Sequence, residues 1–180
     1  EGGVALPAVL FVPEASRGVP ALVVDGDGKG HAAAAVAALL AEGRSVLAAD
    51  LTGLGETLGS AHSFYGAPNK DEGPAVMAYL LGRSLVGIRA EDILMCARWL
   101  SAACGVERVA LRAAGWAVTP ALHAAAAEPQ LFAEAGLAAA PQPWEEVVAG
   151  DAAWRFADIV HGALQDYTIA DLKALVRASP

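Results

Sequence analysis

The stretch with the most chemical potential is Val106 to Ala127, VERVALRAAGWAVTPALHAAAA. An apolar run at Val109 to Leu111 breaks at Arg112-Ala113-Ala114-Gly115-Trp116-Ala117, and an Ala-rich helical stretch takes over near Pro120. A strand entering a helix through a tight corner holds one side chain on a strained turn, next to the unpaired N–H groups of the helix start. A serine in that position would be a nucleophile for acyl transfer, with the amide groups ready to receive the oxyanion. Gly115 stands there instead, and no other residue of the corner can attack a carbonyl. Trp116, directly after it, either lines a pocket or plugs the vacant position.

A second candidate is the glycine-rich loop Asp25-Gly26-Asp27-Gly28-Lys29-Gly30. A dinucleotide fingerprint would place a third glycine where His31 stands. A phosphate-binding loop would follow Lys29 with Ser or Thr, and Gly30 is there. A calcium loop starting at Asp25 and Asp27 would put Lys29 at a ligand position and Val36 in place of the bidentate Glu. Two readings remain. Backbone N–H groups of Gly26, Asp27 and Gly28 could form part of an oxyanion hole, or the glycines serve only a tight turn that needs positive φ.

Among the four histidines, His123 reads as a packed, hydrogen-bonded core residue and His62 as exposed. His31 opens a helix and either faces a ligand or is solvated. His161 lies late in the chain, where the family resemblance described below would place a catalytic base. Ser84 reads as a helix lead-in. Arg83, Arg89 and Asp92 read as an ion pair bracing the corner at Gly115, with Arg89 and Asp92 three residues apart on one helix face. No histidines and carboxylates have metal-ligand spacing, and nothing in the sequence asks for a cofactor.

Around these residues, the 180-residue chain is one domain's worth. It is 56% hydrophobic and 18% charged, with net charge −8. That acidity argues against nucleic acid and anionic membrane as partners, and no apolar run approaches the roughly 18 residues of a membrane span. Cys96 and Cys104 make neither a CxxC pair nor a disulfide framework, and Cys96 reads as a core residue. The chain opens on Glu1 with neither Met nor a basic leader, which is expected of a processed or cropped sequence.

The elements that would position the candidates follow from hydrophobic patterning. Val4 to Val12, with Pro7, reads as an edge strand. Ala21 to Val24 and Ser45 to Ala49 read as strands buried on both faces, joined by a helix over His31 to Glu42 that Gly43 closes. This spacing predicts a parallel pair with a right-handed crossover. Leu58 to Pro74, holding Phe64 and Tyr65, is a long loop. Helices are expected over Ala75 to Leu85, Arg89 to Ala103, part of Trp144 to Phe156, and Ile169 to Arg177 with Thr168 as N-cap. Glu134 to Ala139 is a further strand, with Ala139 to Pro143 as its exit loop. Ile159 to Asp166 is ambiguous.

Val46 to Thr57, VLAADLTGLGET, resembles the fourth-strand signature of α/β-hydrolases, a strand running into D-x-x-G-x-G-x-[ST]. Leu81 to Leu100, LGRSLVGIRAEDILMCARWL, is similar to the region before the nucleophile in bacterial acetyl xylan esterase-like hydrolases, and Leu122 to Ala126 resembles the helix behind it. The likeness extends from about residue 20 to residue 180. It implies an α/β-hydrolase-like fold in a single domain over 1–180, a mostly parallel sheet with helices on both faces that lacks its last C-terminal strands. It also implies a carboxylic-ester hydrolase lineage, with Gly115 where the family has its serine and the later catalytic loops absent. A small-molecule or carbohydrate ester is the implied ligand, and a secreted or periplasmic setting the implied location. The expected function is therefore an esterase by descent, inactive as written. The alternatives are a non-catalytic binding or structural module and, less in keeping with the broken glycine patterns, a nucleotide-binding doubly wound domain. An unpaired C-terminal sheet edge would invite a second copy to pair there.

Overall fold

Apolar runs too short for helices build the middle of the sheet. β2 (Ala21–Asp25), β3 (Val46–Ala49) and β4 (Val109–Ala114) run parallel, and β5 (Phe132–Leu137) joins β4 in the same direction. β1 (Ala8–Phe11) lies antiparallel to β3 at the far side, giving the order β1-β3-β2-β4-β5. This computed structural model describes residues 5–59, 72–150 and 155–177. The segment holding His62, Phe64 and Tyr65 lies outside them.

Alternation along the strands divides the core in two. On one face, Val36 and Leu39 of α1 (Ala33–Ala41) pack against Ala21, Val23, Val46, Ala48 and Ala110. On the other, α3 (Leu85–Cys104) and α4 (Val118–Ala127) bring Ile93, Ala97, Leu100, Ala121 and Ala124 onto Leu22, Val24, Leu47 and Leu111. The helices α2 (Glu72–Leu80), α5 (Trp144–Ala149) and α6 (Ile169–Arg177) complete the described chain. Leu122, Trp144, Ile169 and Leu172 form a smaller cluster that seats α6 beside α4.

Several boundaries differ from the sequence expectation, for local reasons. α3 begins at Leu85 rather than Arg89 because Ser84, in extended conformation, caps it by accepting from the Gly87 N–H at 2.9 Å. α4 begins at Val118, two residues before Pro120, so the proline falls in the first turn, where its missing N–H costs nothing. The helix over Glu72–Leu80 includes residues ahead of Ala75, and β5 covers Phe132–Leu137 instead of Glu134 to Ala139. Ile159 to Asp166 is not a strand and contains a short 3₁₀ turn at Ala163–Gln165. At α6, Thr168 caps as expected: its Oγ1 accepts from Asp171 N, and Asp171 Oδ2 accepts from Thr168 N.

The expected ion-pair brace is also built differently. Arg83 pairs with Glu91. Arg89 and Asp92, both buried, hold the backbone of one residue on both sides, Arg89 Nε donating to Thr52 O at 2.9 Å and Asp92 Oδ2 accepting from Thr52 N at 2.8 Å. What they brace is the loop after β3, not the corner at Gly115.

That loop and the loop after β2 are tied together by Asp50, which is 1% exposed. Its carboxylate accepts from Lys29 N at 2.5 Å, Lys29 Nζ at 2.7 Å and Glu56 N at 3.0 Å. Burial alone would raise the Asp50 pKa, but the hydrogen bonds from Lys29 and Glu56 outweigh it and hold the carboxyl below its ordinary value. The two loops touch at glycines of positive φ. A Cβ on Gly28 (φ +97°) would lie 2.6 Å from Gly55 Cα, and one on Gly55 (φ +56°) would lie 2.6 Å from Asp50 Oδ2.

A carboxyl with a depressed folded pKa adds stability that is complete above its unfolded pKa and is lost as pH falls through the folded value. Asp50→Asn keeps the shape and removes the charge, leaving the Lys29 ammonium short of a partner. Urea unfolding at neutral pH should show a loss of about 3 kcal/mol. The parent should also lose more stability than the variant as pH falls below about 4. Equal stability of the two proteins at neutral pH would contradict this role.

Candidate active-site corner

β4 ends at Ala114, and the chain turns through a 3₁₀ turn, Gly115–Ala117, directly into α4. Gly115 has φ +55°, in the left-handed region that side chains rarely adopt. The corner therefore has the strained strand-to-helix geometry expected of a nucleophile position. There is also room for a side chain. A Cβ on Gly115 would meet Gly26 N at 3.5 Å, Gly26 Cα at 3.6 Å and Asp25 Oδ1 at 3.9 Å, all ordinary contacts.

Strand pairing brings the β2 loop to this corner. Asp25 lies opposite Ala114 in the parallel register, and Gly26 N donates to Ala114 O at 3.0 Å. The approach is so close that Gly26 has to be glycine. A Cβ there would sit 2.7 Å from Trp116 Cα and closer still to the Trp116 amide nitrogen. Gly26 and Trp116, predicted from different stretches of sequence, are thus in direct contact.

The three amides expected to face an oxyanion are otherwise engaged. Gly26 N bonds Ala114 O, Asp27 N donates to Asp25 Oδ1 at 2.9 Å, and Gly28 N donates to Asp25 O at 3.0 Å. The chain's own carboxylate takes the Asp27 N–H, and the negative charge of Asp25 stands beside the place where an acyl-transfer oxyanion would develop. An incoming oxyanion would have to displace one carboxylate oxygen and tolerate the other.

In front of the corner is a cavity of about 260 Å³ whose walls include Gly115, Trp116, Thr119, Gln142 and Arg155. The exit loop of β5 supplies Ala139 to Gln142 to its rim. The Trp116 ring is 40% exposed, and the Arg155 guanidinium lies over its face, a cation–π contact, while Arg155 Nε donates to Asp158 Oδ2 at 3.3 Å. Trp116 therefore forms a wall of the cavity.

The histidines lie elsewhere. His123, on α4, has Nδ1 2.8 Å from Thr119 O and Nε2 3.2 Å from the Tyr167 hydroxyl. The carbonyl requires a proton on Nδ1, so Nε2 accepts from the tyrosine and both nitrogens are committed. Burial lowers the His123 pKa, partly opposed by the Thr119 carbonyl, so the ring stays neutral. His161 is exposed and stands edge-to-face with Tyr79 at 5.1 Å between centroids, on a separate cavity of about 150 Å³ that it shares with Ser84. His31 is exposed, with Nδ1 3.0 Å from Asp27 O, and lines a third cavity together with Asp25 and Arg112. The corner thus brings Gly26 against Gly115 and Trp116, while Gly28 meets Gly55 of the neighbouring loop and His161 lies on a separate cavity.

Two residues of the corner escaped the sequence reading. Asp25 was legible in principle, since an Asp followed two residues later by a turn amide is the pattern of an Asx turn. Arg155 carried no local signal, because it arrives from a segment remote in sequence.

No family model matches the chain, and no curated protein matches it in sequence. Solved structures do. A probable hydrolytic enzyme from Pseudomonas aeruginosa superposes with TM-score 0.54 at 16% identity, covering 83% of this chain and 41% of that one. A thermostable carboxyl esterase from Bacillus coagulans gives 0.51 at 17% identity, covering 73% and 39%. A Nostoc protein assigned to the α/β hydrolases gives 0.51 at 21%, covering 84% and 44%. At these identities the likeness is one of fold, and the fold is that of the α/β-hydrolases. The chain spans about two fifths of the length of these structures.

The geometry separates the two corner glycines. Gly115→Ser meets only ordinary contacts and should cost about 1–2 kcal/mol, the strain of a left-handed side chain. Gly26→Ala forces two backbones apart and should cost about 3 kcal/mol or more. Chemical denaturation of both variants checks the order; a Gly26→Ala protein as stable as Gly115→Ser would contradict the close approach.

Proposed function

We propose that this chain is an α/β-hydrolase-fold domain of carboxylic-ester hydrolase lineage, resembling the acetyl xylan esterase-like group, that does not itself hydrolyse esters. The observation that carries the reading is the corner at Gly115: a strained strand-to-helix turn with space for a nucleophile and glycine in that space. Three further features support it. The Asp27 amide is held by Asp25, both nitrogens of His123 are committed to the packing of α4 and α6, and His161 faces Tyr79 on another cavity. A serine needs a base to take its proton and a third group to orient that base, and among the described residues no histidine stands at the corner.

A second reading has a specific observation in its favour. The cavity before Gly115 is walled by an aromatic ring with a guanidinium over it, a surface suited to hold a small planar or oxygen-rich ligand without acting on it. A small-molecule or carbohydrate ester bound and not cleaved would make the domain a binding module of hydrolase ancestry.

Hydrolysis of p-nitrophenyl acetate by the purified chain tests the first reading. The expected rate is that of buffer with an inert protein added, and Gly115→Ser should raise it less than about tenfold, since the acid–base part of catalysis is missing. Turnover that tracks the protein through successive purification steps, or a large gain from Gly115→Ser alone, would show that a base lies nearer the corner than this arrangement allows.

A further inference from the structure

α4 and α6 are joined by a contact that the corner does not use. Three rings meet there: His123 on α4, Trp144 at the start of α5 and Tyr167 just ahead of α6. Their centroids lie 5.7 Å, 5.8 Å and 5.7 Å apart, so each ring touches both others. Trp144 is buried, and the rings sit beside Leu122, Ile169 and Leu172, the cluster that seats α6. α6 has nine residues, of which Ile169 and Leu172 are buried. A helix of that length is not stable alone in water, so its shape depends on this docking.

The polar side of the contact is built for a neutral ring. Thr119 O fixes a proton on His123 Nδ1, and the Tyr167 hydroxyl then donates to Nε2 at 3.2 Å. A second proton would turn Nε2 into a donor and leave a positive charge among aromatic and aliphatic side chains. The Tyr167 hydroxyl can turn to accept from the charged ring, so what the fold loses is the solvation of the charge. The charged residues of the surrounding elements do not replace it. Asp166, next to Tyr167, is exposed; on α6, Asp171 is exposed and taken by the Thr168 cap, and Lys173 has the wrong sign. On α5, Glu145 and Glu146 are exposed. On α3, Arg89 and Asp92 are engaged at Thr52, and Arg98 pairs with Glu128 at the end of α4. On β5, Glu134 is held by Arg44 and Arg112. Burial therefore sets the direction of the His123 shift, with only the Thr119 carbonyl opposing it. A histidine held neutral in this way contributes stability that is complete above its unfolded pKa of about 6.5. That stability is lost as pH falls from there through the lowered folded value.

We propose that His123 is a proton-sensitive latch: with its ring neutral it holds α6 on α4, and on taking up a second proton at Nε2 it lets α6 go. The proton comes from solvent and returns to it, and no other covalent bond changes. Two contacts confine the release to residues 159–177. Ala157 is buried with Ala75 and Leu85 in a separate cluster, and Trp144 Nε1 donates to Asp158 O at 3.0 Å. Undocking uncovers Leu122 and Trp144, an apolar face that is hidden at neutral pH. The latch stands apart from the corner at Gly115 and does not depend on whether an ester is bound or cleaved there.

Hydrogen exchange of the 180-residue chain at about pH 7.5 and about pH 5, corrected for intrinsic rates, tests this proposal. Peptides over α6 should exchange at least about fivefold faster in acid, while β2 and β3 keep their protection. His123→Gln keeps an acceptor toward Tyr167 and does not titrate, so the difference should vanish in it. An NMR titration of the His123 ring needs no variant; the second proton should arrive below about pH 6.5, together with the loss of α6 protection. If His123→Gln undocks α6 already at neutral pH, the ring titration decides. Equal exchange of α6 at the two pH values would overturn the proposal. So would a difference retained in His123→Gln, or a His123 midpoint at or above the ordinary histidine value.

Discussion

The Asp50 carboxylate is the constraint on which the upper edge of the sheet depends. Lys29 reaches it from the β2 loop with both backbone and side chain, and the Glu56 amide reaches it from the β3 loop. A buried charge is tolerable only when its partners are in place, so the position of one loop dictates that of the other. In the same β2 loop Gly28 is pressed on Gly55 and Gly26 on Trp116. The Arg89–Asp92 grip on Thr52 fixes the start of the β3 loop beside Asp50. The corner at Gly115 is held in its shape from the neighbouring strands, independently of whether a nucleophile stands in it.

That independence separates the architecture from any chemistry performed on it. The strain at Gly115, the contact at Gly26 and the Asp50 staple are requirements of the fold, because they decide how parallel strands end and how helices leave them. The chemistry requires something separate: a nucleophile, a base within reach, and amides left open for an oxyanion. In this chain the first is glycine, and Asp25 occupies an amide of the third. A likeness to hydrolytic structures therefore extends to the fold, and activity has to be argued at the site.

Much of the architecture was legible because one physical rule decided it. Continuous apolar runs such as Ala21 to Val24 could only be strands buried on both faces, and the intervening amphipathic segment fixed the parallel crossover. The D-x-x-G-x-G-x-T spacing from Asp50 to Thr57 also marked the β3 loop, although the reason for its glycines appears only once Asp50 is seen wedged between them. Helix starts were less legible, since the cap at Ser84 outweighed the hydrophobic periodicity that pointed to Arg89. The brace assigned to Arg89 and Asp92 was real and misplaced: spacing on a helix shows which residues share a face and not what that face meets. Contacts made across long stretches of chain, such as Arg155 over Trp116, left no pattern to read.

The proposed loss of activity rests on a corner with strand-to-helix geometry and glycine at its turn. Reaction of the folded chain with a fluorophosphonate, followed by intact-mass measurement, tests this most directly, because such reagents phosphonylate, with loss of fluoride, a hydroxyl made nucleophilic by its surroundings. The account predicts no adduct after prolonged exposure, with the protein still folded. A stoichiometric adduct on any serine or threonine, lost on unfolding before the reaction, would show an activated nucleophile and contradict it.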